Sequence, residues 1–223
     1  MSTEEDKSPG DLVRGMEVRP AKDTYNQVRL LTNHGNVDLR YYQVPNARSA
    51  VVLVGGVGGG WDTPARGLYP RLCRELIGAG IASIRVRYRY PTSLPESVHD
   101  VLAGLAFLQE EGIDRFALVG HSFGGAVVIQ AAVLSPTTRT VVTLASQSYG
   151  AGPVSELPAG CSILLLHGTA DAVLSPSNSQ QIYKIAREPK RIVLYEGASH
   201  GLDGVSGEVC QTVREWLLAE MAE

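Results

Sequence analysis

Residues 116–134 read FALVGHSFGGAVVIQAAVL, an apolar run that meets a glycine-flanked serine and continues without a break into a second apolar stretch. Residues 116–119 have the length and composition of a buried strand. Residues 126–134 are apolar almost all round, as a helix packed against a sheet must be. Between them Gly120-His121-Ser122-Phe123-Gly124 fits a tight strand-to-helix turn that raises a serine hydroxyl at the edge of a sheet. The two glycines stand where such a turn brings backbones together and leaves no room for a Cβ. A serine hydroxyl is a poor nucleophile until a base takes its proton and a carboxylate orients that base. The stretch therefore calls for a histidine and an acid elsewhere in the chain.

Outward from this turn the chain alternates strands and helices. Residues 50–54, 81–86, 140–144, 162–166 and 191–195 are further candidate strands. Leu68, Leu72 and Leu76 recur at helical spacing, as do Val98, Val101, Leu102, Leu105 and Leu108, and Val205, Val209, Val213 and Trp216 mark a last helix. Residues 27–32 and 37–44 alternate around Asn33-His34-Gly35-Asn36, the pattern of a β-hairpin. The expected fold is α/β: a mostly parallel sheet of about eight strands with an N-terminal hairpin and helices on both faces. One domain is expected over residues 25–223, after a mobile N-terminal tail over residues 1–24, which lack periodicity.

The 223 residues suffice for one full-sized core, and 44% apolar with 19% charged residues is an ordinary globular composition. A net charge of −3 offers no attraction to nucleic acid or an anionic membrane, so neither is expected as a partner. No apolar run reaches the ~18 residues of a membrane span, and the acidic start does not read as a secretory signal. Cys73, Cys161 and Cys210 are widely spaced and odd in number, which suits buried thiols in a reducing cytoplasm rather than a disulfide or metal framework.

The serine pattern alone is weak, because 24 glycines make roughly 0.2 chance matches expected in such a chain. A second match, Gly197-Ala198-Ser199-His200-Gly201, runs into the loop-like Leu202-Asp203-Gly204 and has no histidine after it. Ser122 is the better nucleophile, having the strand before it and the helix after it. On such elbows the acid and then the base follow the serine along the chain. Of five histidines only His167 and His200 follow Ser122. His167 closes a strand, whereas His200 lies in a loop just past the last strand, where an imidazole can reach over the sheet edge. His121 adjoins the serine, and adjacent elbow residues point apart, so it is the weaker base. Asp171 lies in a post-strand loop at the carboxyl edge, where open α/β sheets carry their chemistry. Asp203, three residues from His200, is the substitute acid, better suited to capping the last helix.

These residues resemble the α/β-hydrolase superfamily over roughly residues 27–222. Gly55-Gly56-Val57-Gly58-Gly59-Gly60 is similar to its oxyanion loop, Leu166-His167-Gly168-Thr169-Ala170-Asp171 to its acid loop, and Ala198-Ser199-His200-Gly201 to its histidine loop. The stretch 144–162 is too short for an inserted cap domain, which is similar to the small capless dienelactone-hydrolase-like and carboxylesterase members. Many relatives have His-Gly where this chain has Gly55-Gly56. The resemblance implies a catalytic triad of Ser122, Asp171 and His200, and an oxyanion hole from the backbone N–H groups of Val57 and Phe123. It implies acyl transfer from a small-molecule ester or thioester to water, with no metal and no cofactor. Gly56, Gly58, Trp61, Tyr88, Arg89 and Tyr149 fall near the carboxyl edge and are candidates for the substrate pocket. Other readings of the same residues are a peptidase, an acyltransferase, and a non-catalytic ligand-binding or interaction protein that keeps the fold.

Overall fold

In the computed structural model, which describes residues 13–20 and 23–222, the glycine-flanked serine sits at the carboxyl end of a strand near the middle of a nine-stranded sheet. The strands are β1 (Val13–Pro20), β2 (Asn26–Thr32), β3 (Gly35–Tyr42), β4 (Ser49–Val54), β5 (Ala82–Arg87), β6 (Arg115–His121), β7 (Thr138–Leu144), β8 (Ser162–Gly168) and β9 (Lys190–Tyr195). Their order is β1-β2-β3-β5-β4-β6-β7-β8-β9. The first three strands form an antiparallel meander joined antiparallel to β5, and from β5 to β9 every pairing is parallel. This is the α/β-hydrolase fold.

Two cores cover the sheet. On one face Ala50, Val52 and Val54 of β4 pack beneath α2 (Leu94–Glu110), α3 (Phe123–Val133) and Ile182 of α4 (Ser177–Ile185). On the other, Val51 and Leu53 meet α1 (Pro64–Ile77) and α5 (Ser206–Glu220). Successive strand side chains point to opposite faces, so a strand buried on both sides reads as a continuous apolar run. α3 is apolar on every side for the same reason: apart from Gln130 and Val133, all its residues are buried.

The sequence reading departs from the structure at the N-terminus. Of the residues expected to be a mobile tail, 13–20 form β1, paired with β2 from Val13↔Thr32 to Pro20↔Asn26, which makes nine strands rather than about eight. Residues 1–12 and 21–22 of that segment lie outside the described residues. β1 escaped the pattern search because it is an edge strand. Met16 and Val18 stand exposed, so backbone hydrogen bonds rather than an alternating apolar face hold it in place.

Between β7 and β8 the chain makes one short 3₁₀ helix (Gly152–Glu156), and among the described residues no separate cap covers the carboxyl edge. Among the described residues no helix is long and apolar enough to cross a membrane. Cys73, Cys161 and Cys210 are free and buried, and burial pushes the Cys73 and Cys161 thiols up to about 12. They are inert packing groups at neutral pH.

Candidate active site

Ser122 links β6 to α3 with φ 56° and ψ −120°, a backbone conformation that a residue with a side chain adopts only under constraint. The constraint is visible. Its N–H donates to the Leu144 carbonyl on β7 at 2.8 Å, and its carbonyl accepts from Gly125 N–H at 3.1 Å. A Cβ on Gly120 would land on the Gly124 carbonyl. One on Gly124 would land on the Gly55 carbonyl, and one on Gly125 on the Ser146 hydroxyl. The elbow is thus wedged between the loops that follow β4 and β7, with Ser122 only 8% exposed.

The expected acid and the expected base lie on the same edge. Asp171 follows β8, and its side chain is fully buried. Its Oδ1 accepts from the N–H groups of Val173 and Leu174, each at 2.8 Å, and its Oδ2 is 2.7 Å from His200 Nδ1. Burial alone would raise this carboxyl. The hydrogen bonds from Leu174 N–H, His200 and Val173 N–H outweigh it, and its pKa is lowered. A carboxylate on Nδ1 keeps the proton there and leaves His200 Nε2 free to act as a base.

His200 in turn sits against the elbow: its carbonyl is 3.2 Å from His121 Nε2, and the two rings are 4.9 Å apart. Among the described residues no hydrogen bond joins Ser122 Oγ to the His200 ring. That link often tightens only when substrate is bound.

His167, the other histidine downstream of the serine, is fully buried and serves the acid instead. Its Nε2 lies 3.1 Å from Asp171 Oδ2 and 2.9 Å from the Leu174 carbonyl, and its Nδ1 lies 2.7 Å from Ser179 Oγ. Facing two acceptors, Nε2 carries a proton, so His167 is a second donor that fixes the Asp171 carboxylate. Asp203, the substitute acid, accepts from Arg66 N–H at 2.9 Å near the start of α1, and among the described residues the ring of His200 pairs with Asp171 rather than with it. Ser199 of the second serine pattern lies in the loop of His200, with its carbonyl accepting from Leu202 N–H.

The N–H groups of Val57 and Phe123 have no hydrogen-bond partner among the described residues, so both remain available to an oxyanion. Phe123 N–H is free because it opens α3, whose first N–H groups have no partner within the helix. Gly56 brings the two loops together: a Cβ there would come within 3.3 Å of Ser122 Cβ and 3.7 Å of Ser122 Oγ. Asp62 steadies the same loop. Its carboxylate lies 3.5 Å from Gly56 N and 3.9 Å from His121 Nδ1. Sequence reading passed over Asp62, which no motif marks.

The pocket candidates divide. Tyr88 is buried edge-on to Phe123 at 5.9 Å, its hydroxyl enclosed without a partner, and it belongs to the wall beside the nucleophile. Gly58 opens on free space, and Tyr149 is 81% exposed on the loop after β7. Trp61 instead packs under Arg40, 4.3 Å from its ring centre, and lines a separate cleft of about 240 Å³ with Arg19, Arg29 and Arg87. Arg89 must be withdrawn as a substrate contact. Its guanidinium is engaged by Asp100 and Glu96 and donates to the His34 carbonyl, a structural role for a side chain only 9% exposed.

His121 is buried, and desolvation lowers its pKa against the opposing pull of the His200 carbonyl, Asp62 and Asp171. Its Nδ1 finds no hydrogen bond. A neutral histidine in the native state that protonates freely when unfolded gives stability that is complete above the unfolded value of ~6.5 and falls as pH drops below it. The variant His121→Asn should therefore flatten the dependence of Tm on pH below about pH 6.5, where the parent protein loses stability. An unchanged slope in the variant would show that His121 does not titrate this way.

The model of the dienelactone hydrolase family matches residues 85–209. The uncharacterized protein YfhR of Escherichia coli (strain K12) is 30% identical over a 130-residue match that covers 47% of this chain and 44% of YfhR. The chain thus spans less than half the length of that curated relative. Among solved structures, the dienelactone hydrolase from Anabaena variabilis superposes with a TM-score of 0.75 at 16% identity, over 89% of this chain and 99% of that one. XC6422 from Xanthomonas campestris, described as a serine hydrolase without a lid, gives 0.66 at 20% identity, over 89% of this chain and 98% of that one.

Proposed function

This chain belongs to the dienelactone hydrolase family, and from that premise we propose that it is a serine hydrolase of carboxylic esters or thioesters, working through Ser122, His200 and Asp171. The observation that carries the reading is the 2.7 Å contact between Asp171 Oδ2 and His200 Nδ1, made beside a strained serine elbow. His200 Nε2 takes the Ser122 proton as Oγ attacks the substrate carbonyl, and Asp171 stabilises the imidazolium. The negative charge that develops on the carbonyl oxygen is met by the N–H groups of Val57 and Phe123. Each such donor contributes about 3 kcal/mol in the transition state. His200 then protonates the leaving group, and water, deprotonated by His200 in a second round, releases the acyl group and restores Ser122.

The mouth of the site favours an apolar substrate. Val57, Tyr90, Tyr149 and Val173 are large apolar or aromatic side chains left exposed, and they lie on the loops after β4, β5, β7 and β8, around the edge that carries Ser122. Burying one methylene is worth about 0.8 kcal/mol, up to roughly fourfold in rate. Along a series of p-nitrophenyl esters, kcat/KM should therefore rise by up to that factor per added methylene until the groove is filled. Where release of the acyl group is the slow step, mixing enzyme with ester should give a single initial burst of p-nitrophenol close to one equivalent per chain. No hydrolysis of any ester or thioester in the series, or hydrolysis that Ser122→Ala leaves undiminished, would remove the reading.

A further inference from the structure

The turn between β2 and β3 and the start of α2 bring together three side chains that the proposed reaction does not use: His34, Glu96 and His99. One ring nitrogen from each histidine and one carboxylate oxygen all lie within 4.8 Å of one another. We propose that these three residues bind a first-row divalent cation of the zinc type, which clips the β2–β3 turn to α2.

Glu96 and His99 are three residues apart on α2 and share a face, and His34 approaches that face from the turn. The two rings stand 5.3 Å apart with their planes tilted by 44°, so they do not stack on one another. His99 Nδ1 is enclosed yet has no hydrogen-bond partner, an orphaned polar atom of the kind that calls for an explanation. Arg89 fixes the frame. It donates to the main-chain carbonyl of His34, to Glu96 Oε2 at 2.9 Å and to Asp100, holding the turn and the carboxylate in place while leaving the other Glu96 oxygen uncommitted. Its positive charge is more than offset by Glu96 and Asp100, so a cation meets no net repulsion from these three groups.

The donor set selects the ion. Two imidazoles and one carboxylate suit zinc, cobalt or nickel, whereas magnesium and calcium favour oxygen ligands throughout. Bonds of about 2.0–2.2 Å require donors roughly 3.3 Å apart, so donors that now lie within 4.8 Å of one another must draw in by up to about 1.5 Å. His34, exposed on its turn, has the freedom to make that movement. Further positions on the ion would be filled by water.

The test uses untagged full-length protein stripped of metal, titrated with Zn²⁺ by calorimetry and with Co²⁺ by visible absorption. One ion should bind per chain, and Tm should rise by several degrees in excess Zn²⁺. His34→Ala and His99→Ala should each weaken binding at least tenfold. His34→Ala, in an exposed turn, should keep its metal-free Tm and ester hydrolysis unchanged. Binding of equal strength in both variants, or no binding by the parent protein, overturns the proposal. So does binding abolished by His200→Ala but not by His34→Ala, which would put the ion at the serine site.

Discussion

Replacing Ser122 by alanine is expected to lower kcat/KM on p-nitrophenyl acetate by roughly 10⁴- to 10⁶-fold, with Tm within a few degrees of the parent. The size follows from the division of labour. Without Oγ there is no acyl-enzyme, and His200 and Asp171 have no proton to move. Only the Val57 and Phe123 donors and substrate binding remain, and such remnants sustain a slow attack by water. The fold should survive because the elbow is held by main-chain bonds to Leu144 and Gly125 and by glycine packing rather than by the hydroxyl. The strain of the positive-φ conformation at Ser122 stays in the variant, since alanine keeps its Cβ. A loss of less than tenfold, measured on protein free of contaminating esterase, would mean that another group performs the chemistry.

The largest structural effect is expected at Gly120. A Cβ there would meet the Gly124 carbonyl carbon and oxygen and the Gly125 nitrogen, all inside the 3.0 Å that real Cβ atoms keep, and all of them backbone. No rotamer change can relieve that overlap. Gly120 is also pinned on both sides, by Val54 of β4 and Thr143 of β7. The substitution Gly120→Ala should cost roughly 4 kcal/mol or more, or leave no folded protein to measure. Gly207 in α5 gives the matched control, because a Cβ there touches nothing within 4 Å. There Gly207→Ala should be neutral or stabilising by up to about 1 kcal/mol. Urea unfolding of both variants reads the contrast. Similar midpoints would show that the elbow is looser than its packing implies.

Much of the fold was legible because burial on both faces writes a strand as an unbroken apolar run. Residues 50–54, 116–119 and 162–166 each fall inside an observed strand. β1 was not legible, since an edge strand with exposed Met16 and Val18 carries no such mark. The order Ser122, Asp171, His200 could be read from spacing, but the service of His167 to Asp171 could not. That contact depends on the loop 169–174 folding back over the end of β8, and spacing does not report it. Arg89 misled for a related reason. An arginine at a strand end looks free until α2 folds down and presents Glu96 and Asp100. Trp61 likewise lies near the expected edge in sequence, yet Arg40 and Arg85 draw it toward the meander.

The central claim is that Ser122 is the nucleophile, and it is tested most directly by mapping a covalent adduct. The protein would be treated with a fluorophosphonate probe, digested, and the modified peptide identified by mass spectrometry. A single adduct on Ser122 is predicted, absent from Ser122→Ala and strongly slowed in His200→Ala. Labelling undiminished in Ser122→Ala, or an adduct on Ser199 in the parent protein, would contradict it.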